Sequence, residues 1–282
     1  MSDAGAIILD LDGGAALEET LDSIAAQTRR FRRVLVWDNG SRVPAKERIG
    51  ERYPWVHIRR SESNLGFTGG INAAMRLIDS DLVAWINNDV RLEPRWLEAM
   101  IEVLGDRGVA AAQSINMGER GRIDGAGIKV GGGVFRQVGH GEPLPFDLPA
   151  EPWGVSATAA LYRARALRDV SPGGAFLDPR FFLYYEDVEL CARLRAAGWH
   201  FSVVAEPLAF HRGSLSAKKE VLADFFRVRN RYWVPRLHPG VGRRTALLGE
   251  DSARIAKAIV RADLRGARQI LSAVVAGLRG PE

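Results

Sequence analysis

Residues 82–90 read LVAWINNDV, five apolar residues followed by two asparagines, an aspartate and a valine. A short continuous apolar run without alternation marks a strand covered on both faces. Outward from it the same pattern repeats. AIIL (6–9) runs into Asp10 and Asp12, VLVW (34–37) into Asp38-Asn39-Gly40-Ser41, and VHI (56–58) adds another run. Leu17, Leu21, Ile24 and Ala25 recur at helical spacing, and residues 71–78 and 95–104 carry further helical patterns. Strands alternating with helices predict βαβ units with right-handed crossovers. The expected fold is α/β, with a mainly parallel, mixed sheet flanked by helices. In such sheets ligands gather beyond the carboxyl ends of the strands, where these acids stand.

From residue 115 to 152 the character changes. GAGIKVGGGVFRQVGHGEPLPFDLP (125–149) is rich in glycine and proline, which predicts loops and short strands. A strand is expected at 157–162, a helix at 185–197 closed by Gly198, and a short strand at 201–204. Beyond 215 the chain reads as helical. Leu264, Ala267, Leu271, Val274 and Leu278 form a 3-4-3-4 stripe flanked by Arg261, Arg265 and Arg268, which predicts a single apolar face. Two units follow: a catalytic domain over 1–235 and a basic helical extension over 236–282.

Composition narrows the class. The chain has 282 residues, 46% hydrophobic and 26% charged, as expected of a soluble globular protein with one large domain and an appendage. Its lone cysteine, Cys191, excludes an internal disulfide framework and a cysteine-rich zinc site. The N-terminus has no basic segment of the secretory kind, and no uncharged apolar run approaches about 18 residues. A cytoplasmic location is therefore expected. Residues 1–204 carry 24 Lys/Arg against 27 Asp/Glu, whereas residues 205–282 carry 15 against 7. All excess positive charge sits in the tail, which points to an anionic partner or to a solvated basic helix.

The first strand end reads LDLDGG (9–14), which lacks the G-x-G-x-x-G of a dinucleotide site, and no P-loop occurs. A carboxylate at a strand end can instead hold a divalent cation that neutralises a diphosphate. An ordered series of segments then carries a resemblance. VLVWDNGS (34–41), NLGFTGGIN (64–72), WINNDV (85–90), GGAFLDPRFFLYYEDVEL (173–190), RLRAAGWHFSVVAEPLAFHRGS (193–214) and VRNRYW (228–233) span roughly residues 5–235. Together they resemble a family 2 glycosyltransferase of the GT-A fold, in its rhamnosyltransferase-like branch.

The resemblance implies roles. Asp38, with Asp10 and Asp12, would line the pocket for the nucleotide base and ribose. Asn64, Gly66 and Gly70 belong to the turn and helix start that approach the nucleotide, and Asn88 lies beside them on the donor. Asp89 matches the metal-ligating end of the D-x-D motif, and His211, 24 residues after Asp187, matches the second metal ligand. Asp187 would be the base that deprotonates the acceptor hydroxyl, with Glu186 its competitor or an orienter of the acceptor. Arg229, with Arg227 and Arg231, would reach the diphosphate, unless these arginines form a solvated face. Tyr184, Tyr185 and Trp153 suit either a sugar platform or the core.

Two departures stand out: Asp10-Leu11-Asp12 replaces an aromatic first motif, and Asn87-Asn88-Asp89 offers one carboxylate instead of two. The activity implied is inverting transfer from a nucleotide-diphospho-sugar, assisted by Mg²⁺ or Mn²⁺. A dTDP-deoxysugar such as dTDP-rhamnose is the favoured donor and a UDP-sugar the second. The acceptor would be a glycan, a lipid-linked sugar or a small molecule. A catalytically silent sugar-nucleotide-binding module would lack Asp89, Asp187 and His211. The tail shows no nucleic-acid-binding signature, so nucleic acid is not expected. Its helices would rest at the inner face of the membrane or on the acceptor, or else simply pack on the domain or on a second copy of the chain.

Overall fold

The early apolar runs become β1 (Ala4–Asp10), β2 (Arg33–Asp38), β3 (His57–Arg60) and β4 (Leu82–Asn87), separated by α1 (Ala15–Ala25), α2 (Ala45–Ile49) and α3 (Gly66–Met75). The computed structural model describes residues 3–171, 173–213 and 217–281. These four strands lie in the order β3-β2-β1-β4 and every pairing is parallel. Side chains alternate across a strand, and that parity sorts the core. Ala6, Ile8, Val34, Val36, Ala84 and Ile86 pack with α1 and α2 on one face. Ile7, Leu35, Val83 and Trp85 pack with Ile71, Ala74 and Met75 of α3 on the other.

The second half breaks the parallel pattern. Its elements are β5 (Val90–Leu92), α4 (Trp96–Val103), β6 (Val109–Met117), β7 (Ile123–Gly125), β8 (Ile128–Gly131), β9 (Val134–Gln137), β10 (Ala159–Arg163), α5 (Ala164–Asp169), α6 (Glu186–Ala196) and β11 (His200–His211). The main sheet runs β3-β2-β1-β4-β10-β6-β11-β5, with β7 beside β6. β10 is antiparallel to both β4 and β6, and β5 is antiparallel to β11. Sequence alone assigned no strand to 109–114 and only loops and short strands from 115. The nine-residue β6 is instead buried at every position. Its Ala-Ala-Ala-Gln-Ser centre has weak strand preference, and its place between β10 and β11 supplies what propensity does not.

The tail is α7 (Ala217–Arg231), α8 (Val234–Leu237), α9 (Arg244–Val260) and α10 (Leu264–Arg279). Leu247, Ala273 and Val274 close a core with Val228, Tyr232 and Val134, so the helices beyond 236 pack directly on α7 and on β9. Asp251 of α9, buried, accepts from Arg231 and from Tyr232 Oη at 2.7 Å. The single stripe expected on α10 divides. Ala267 and Val274 are buried, whereas Leu264 and Leu271 are 57% and 52% exposed beside Val275. The 3-4-3-4 spacing straddles the edge of the packed face, and α7 and α9 cover only one side of it. No helix among the described residues is long and apolar enough to cross a membrane.

Candidate active site

A cleft of about 920 Å³ opens beyond the carboxyl ends of β1, β2 and β4. Its donor-side wall includes Leu11, Asp12, Asn39, Asn64, Gly66 and Asn88. Asn39 Nδ2 donates to Asn64 Oδ1 (3.0 Å) and to the Gly66 carbonyl (2.9 Å), locking the turn into α3. Gly66 has φ 72°, and a Cβ there would meet the Phe182 carbonyl oxygen at 2.3 Å. Only glycine therefore lets the two walls of the cleft approach so closely. Gly70 does not face the cleft. It brings α3 against β1, where a Cβ would lie 2.4 Å from Leu9 Cδ1.

Asp10 and Asp38 are fully buried and do not line the cleft. Strand parity turns both toward α2. Asp10 takes Asn88 Nδ2 at 2.7 Å, Gly13 N at 3.0 Å and the Arg48 guanidinium. Asp38 takes Ser41 N and Ala45 N, both at 2.8 Å, and Arg60 at 2.6 Å. Burial pushes the Asp38 carboxyl up, but these donors outweigh it and hold it below its usual value. Asn39, the next residue along, occupies the cleft-facing position that sequence alone gave to Asp38. The alternation of Leu35, Trp37 and Asn39 against Val34, Val36 and Asp38 was the available signal.

Asp89 and His211 meet at the floor. His211 Nε2 lies 3.3 Å from Asp89 Oδ1, while its Nδ1 lies 2.9 Å from Asp124 Oδ2. Burial opposes a charge on His211, yet Asp124 and Asp89 outweigh it and raise its pKa to about 10. The imidazolium thus supplies positive charge between two carboxylates, and His211 must give up its Nε2 proton before that nitrogen can ligate a metal. Among the described residues no three acidic, His or Cys side chains form a complete cation cage. Asp89 and His211 fit as two ligands of a divalent cation whose other positions fall to diphosphate oxygens and water. Asp124, which sequence reasoning missed, would fix the ring through its other nitrogen. It lies 87 residues from His211, and no local motif marks it.

The opposite wall carries Glu186 and Asp187 at the start of α6. Asp187 Oδ1 accepts from Val188 N at 2.8 Å and Oδ2 from Ala157 N at 3.3 Å. Burial raises the Asp187 carboxyl, and these N–H groups partly offset it. Glu186 Oε2 is buried without a partner. Burial, and then the neighbouring Asp187, push the Glu186 carboxyl well above its usual value. Two backbone N–H groups face the Asp187 carboxylate and no donor faces Glu186 Oε2, which favours the negative charge on Asp187. The turn before them places Tyr184 and Tyr185 at φ 67° and 70°, a backbone region unfavourable for bulky residues.

The arginines separate. Arg227 lines the cleft, donating to Tyr184 Oη at 2.9 Å. Arg229 does not; its guanidinium lies over Trp233 at 4.1 Å and Phe226 at 4.7 Å. Burial there lowers its pKa to about 10. Arg231 pairs with Asp251, and Trp153 packs on Phe135 at a centroid distance of 5.6 Å. Ser214, the last residue of the segment 193–214, lies outside the described residues.

A wall of parallel strand ends, an acid–histidine pair and a carboxylate-bearing helix start surround one cleft. Residues 12–171 match the family described as Glycosyl transferase family 2. The chain belongs to that family and is a glycosyltransferase of the GT-A fold. It is 26% identical over 242 residues to N-acetylglucosaminyl-diphospho-decaprenol L-rhamnosyltransferase of Mycobacterium tuberculosis, covering 73% of this chain and 75% of that one. To the O-antigen biosynthesis protein RfbC of Myxococcus xanthus it is 26% identical, over 74% of this chain and 17% of the relative. Among solved structures it resembles GalNAc-T7 with UDP, GalNAc and Mn²⁺, with TM-score 0.63, 13% identity and 84% of this chain covered. It also resembles residues 1–349 of S. aureus TarS in complex with UDP-GlcNAc, with TM-score 0.61, 16% identity and 83% covered. The chain spans 48% of the first of these structures and 65% of the second.

Proposed function

We propose that this glycosyltransferase inverts the anomeric centre of a nucleotide-diphospho-sugar, moving a deoxysugar such as rhamnose from a dTDP donor to a glycan or lipid-linked hydroxyl. The observation that carries the reading is the single cleft shared by Asn39, Asn64, Asp89, His211, Glu186 and Asp187. The rhamnosyltransferase likeness supports the sugar. The UDP bound to GalNAc-T7 and the UDP-GlcNAc bound to TarS support a UDP-sugar as the second donor class.

In this mechanism Asn39, Asn64 and Asn88 hold the nucleotide end against the strand tips. A divalent cation held by Asp89 and His211 would stabilise negative charge on the leaving diphosphate. Asp187, kept ionisable by two backbone N–H groups, takes the proton of the acceptor hydroxyl as its oxygen forms the bond to the anomeric carbon. The bond to the diphosphate oxygen breaks on the opposite face. Glu186, protonated, donates a hydrogen bond to the incoming sugar and adds no second negative charge beside the base. Arg227 offers positive charge at the mouth.

The exposed Leu264, Leu271 and Val275, interspersed with Arg265, Arg268 and Arg279, support docking of α10 on anionic lipid. A donor panel with Mn²⁺ or Mg²⁺, read as nucleotide diphosphate released with and without a polyprenyl-diphosphate-sugar acceptor, tests donor and acceptor together. Product with retained configuration would defeat the single-displacement reading.

A further inference from the structure

The catalytic carboxylates follow a turn that the chain does not hold by itself. Tyr184 and Tyr185 adopt left-handed backbone angles in succession, a costly conformation for residues with a Cβ. Three consecutive carbonyls of this turn are held from outside it. Phe182 O accepts from Phe67 N at 2.8 Å, next to Gly66 on the donor wall. Leu183 O and Tyr184 O accept from one group, Asn230 Nδ2, at 2.9 and 2.7 Å.

Asn230 sits on α7 and is fully buried. Its amide can point only one way. Oδ1 accepts from Arg229 Nε at 2.8 Å, and an arginine nitrogen donates only. The NH₂ group is therefore committed to the two carbonyls. The neighbours of Asn230 anchor it in turn, since Arg231 and Tyr232 both bond the buried Asp251 of α9.

We propose that Asn230 is a positioning residue for transfer: its two hydrogen bonds fix the left-handed turn at 183–185 and so aim Glu186 and Asp187 into the cleft. The inference rests on the reading of Asp187 as the base. It gives helix α7 a part in the chemistry, although Asn230 touches no substrate.

The discriminating variant is Asn230→Asp, which still accepts from Arg229 but turns a carboxylate oxygen toward two carbonyl oxygens. In the full chain, kcat is expected to fall about 10²-fold, with donor KM within about threefold. Amides 185–187 should exchange hydrogen faster while the strands of the main sheet keep their protection. Asn230→Ser, which keeps one donor, should recover part of kcat, and it serves as the folded variant if the aspartate form does not accumulate. On an Asp187→Asn background, Asn230 substitution should cost at most the loss of about two- to fivefold carried by Glu186, because the base it aims is gone. Unchanged kcat, equal losses in donor binding and kcat, unchanged exchange at 185–187, or multiplicative losses with Asp187→Asn would each overturn the proposal. Full transfer by Asp187→Asn alone would instead remove the base reading, and exchange at 185–187 would still judge the clamp.

Discussion

Asp10 and Asp38 stand buried at the ends of β1 and β2, each with an arginine and backbone N–H groups against it. Glu186 and Asp187 stand at the start of α6, and among the described residues no cationic side chain pairs with either. All four are acids near the ends of the same strands and helix that build the cleft, yet their surroundings are opposite. A carboxylate saturated by a guanidinium and N–H donors serves as a tether for loops. One left without a counter-charge keeps its affinity for a proton within reach of the range where protons move. Pairing, more than burial, separates the tethering acids from those proposed to do chemistry.

The contrast can be broken most sharply at Asp187. Asp187→Asn should lower kcat by about 10²–10⁴-fold while equilibrium donor binding stays within a fewfold, and retained turnover would end the distinction. Arg48→Ala should do the reverse, leaving Asp10 buried and unpaired. A loss of about 3 kcal/mol in unfolding free energy is expected, with activity per folded molecule kept, readable from denaturant titration beside initial rates.

Asp124→Asn probes an acid that acts through another residue. Mn²⁺ affinity, followed by titration of the free protein, should weaken about 10–100-fold without loss of fold. Acid sensitivity follows the pairing too. The folded pKa of Asp38 is depressed, so its contribution to stability is full above about pH 4 and is lost as pH falls through the lower folded value. For Asp187 the sign concerns rate: transfer should fall as pH drops through the pKa of a carboxyl that burial raises from its ordinary value. Glu186→Gln should produce the smallest change, about two- to fivefold in kcat with that acidic limb in place, since a neutral amide replaces a neutral acid. A shifted limb would show that Glu186 is ionised.

Much of the donor half was legible because parallel βαβ units write themselves as short apolar runs with polar ends. LVAWI and VLVW fall inside β4 and β2, and Asn64, Gly66, Asn88 and Asp89 all reach the cleft. The helix carrying Asp187 was legible from its acids and from Gly198. Three things were not. β6 is an alanine-rich strand that only its neighbours make favourable. The exchange of Asp38 for Asn39 depends on which layer each parity faces, which a contact map fixes and a motif does not. The Asp124–His211 and Asn230–Tyr184 contacts join segments 87 and 46 residues apart, so no sequence window contains both partners.

The clamp on the 183–185 turn has a consequence in time. By residue 92 the ribosome has delivered the four parallel strands and most of the donor wall, and N-terminal portions of a chain start to fold first. The carboxylates at 186 and 187 follow well before residue 230, and Asp251, which steadies α7, emerges later still. On the roles proposed above, a nascent chain would thus complete the wall at the strand ends before Glu186 and Asp187 are aimed, and activity would wait for α7 and α9.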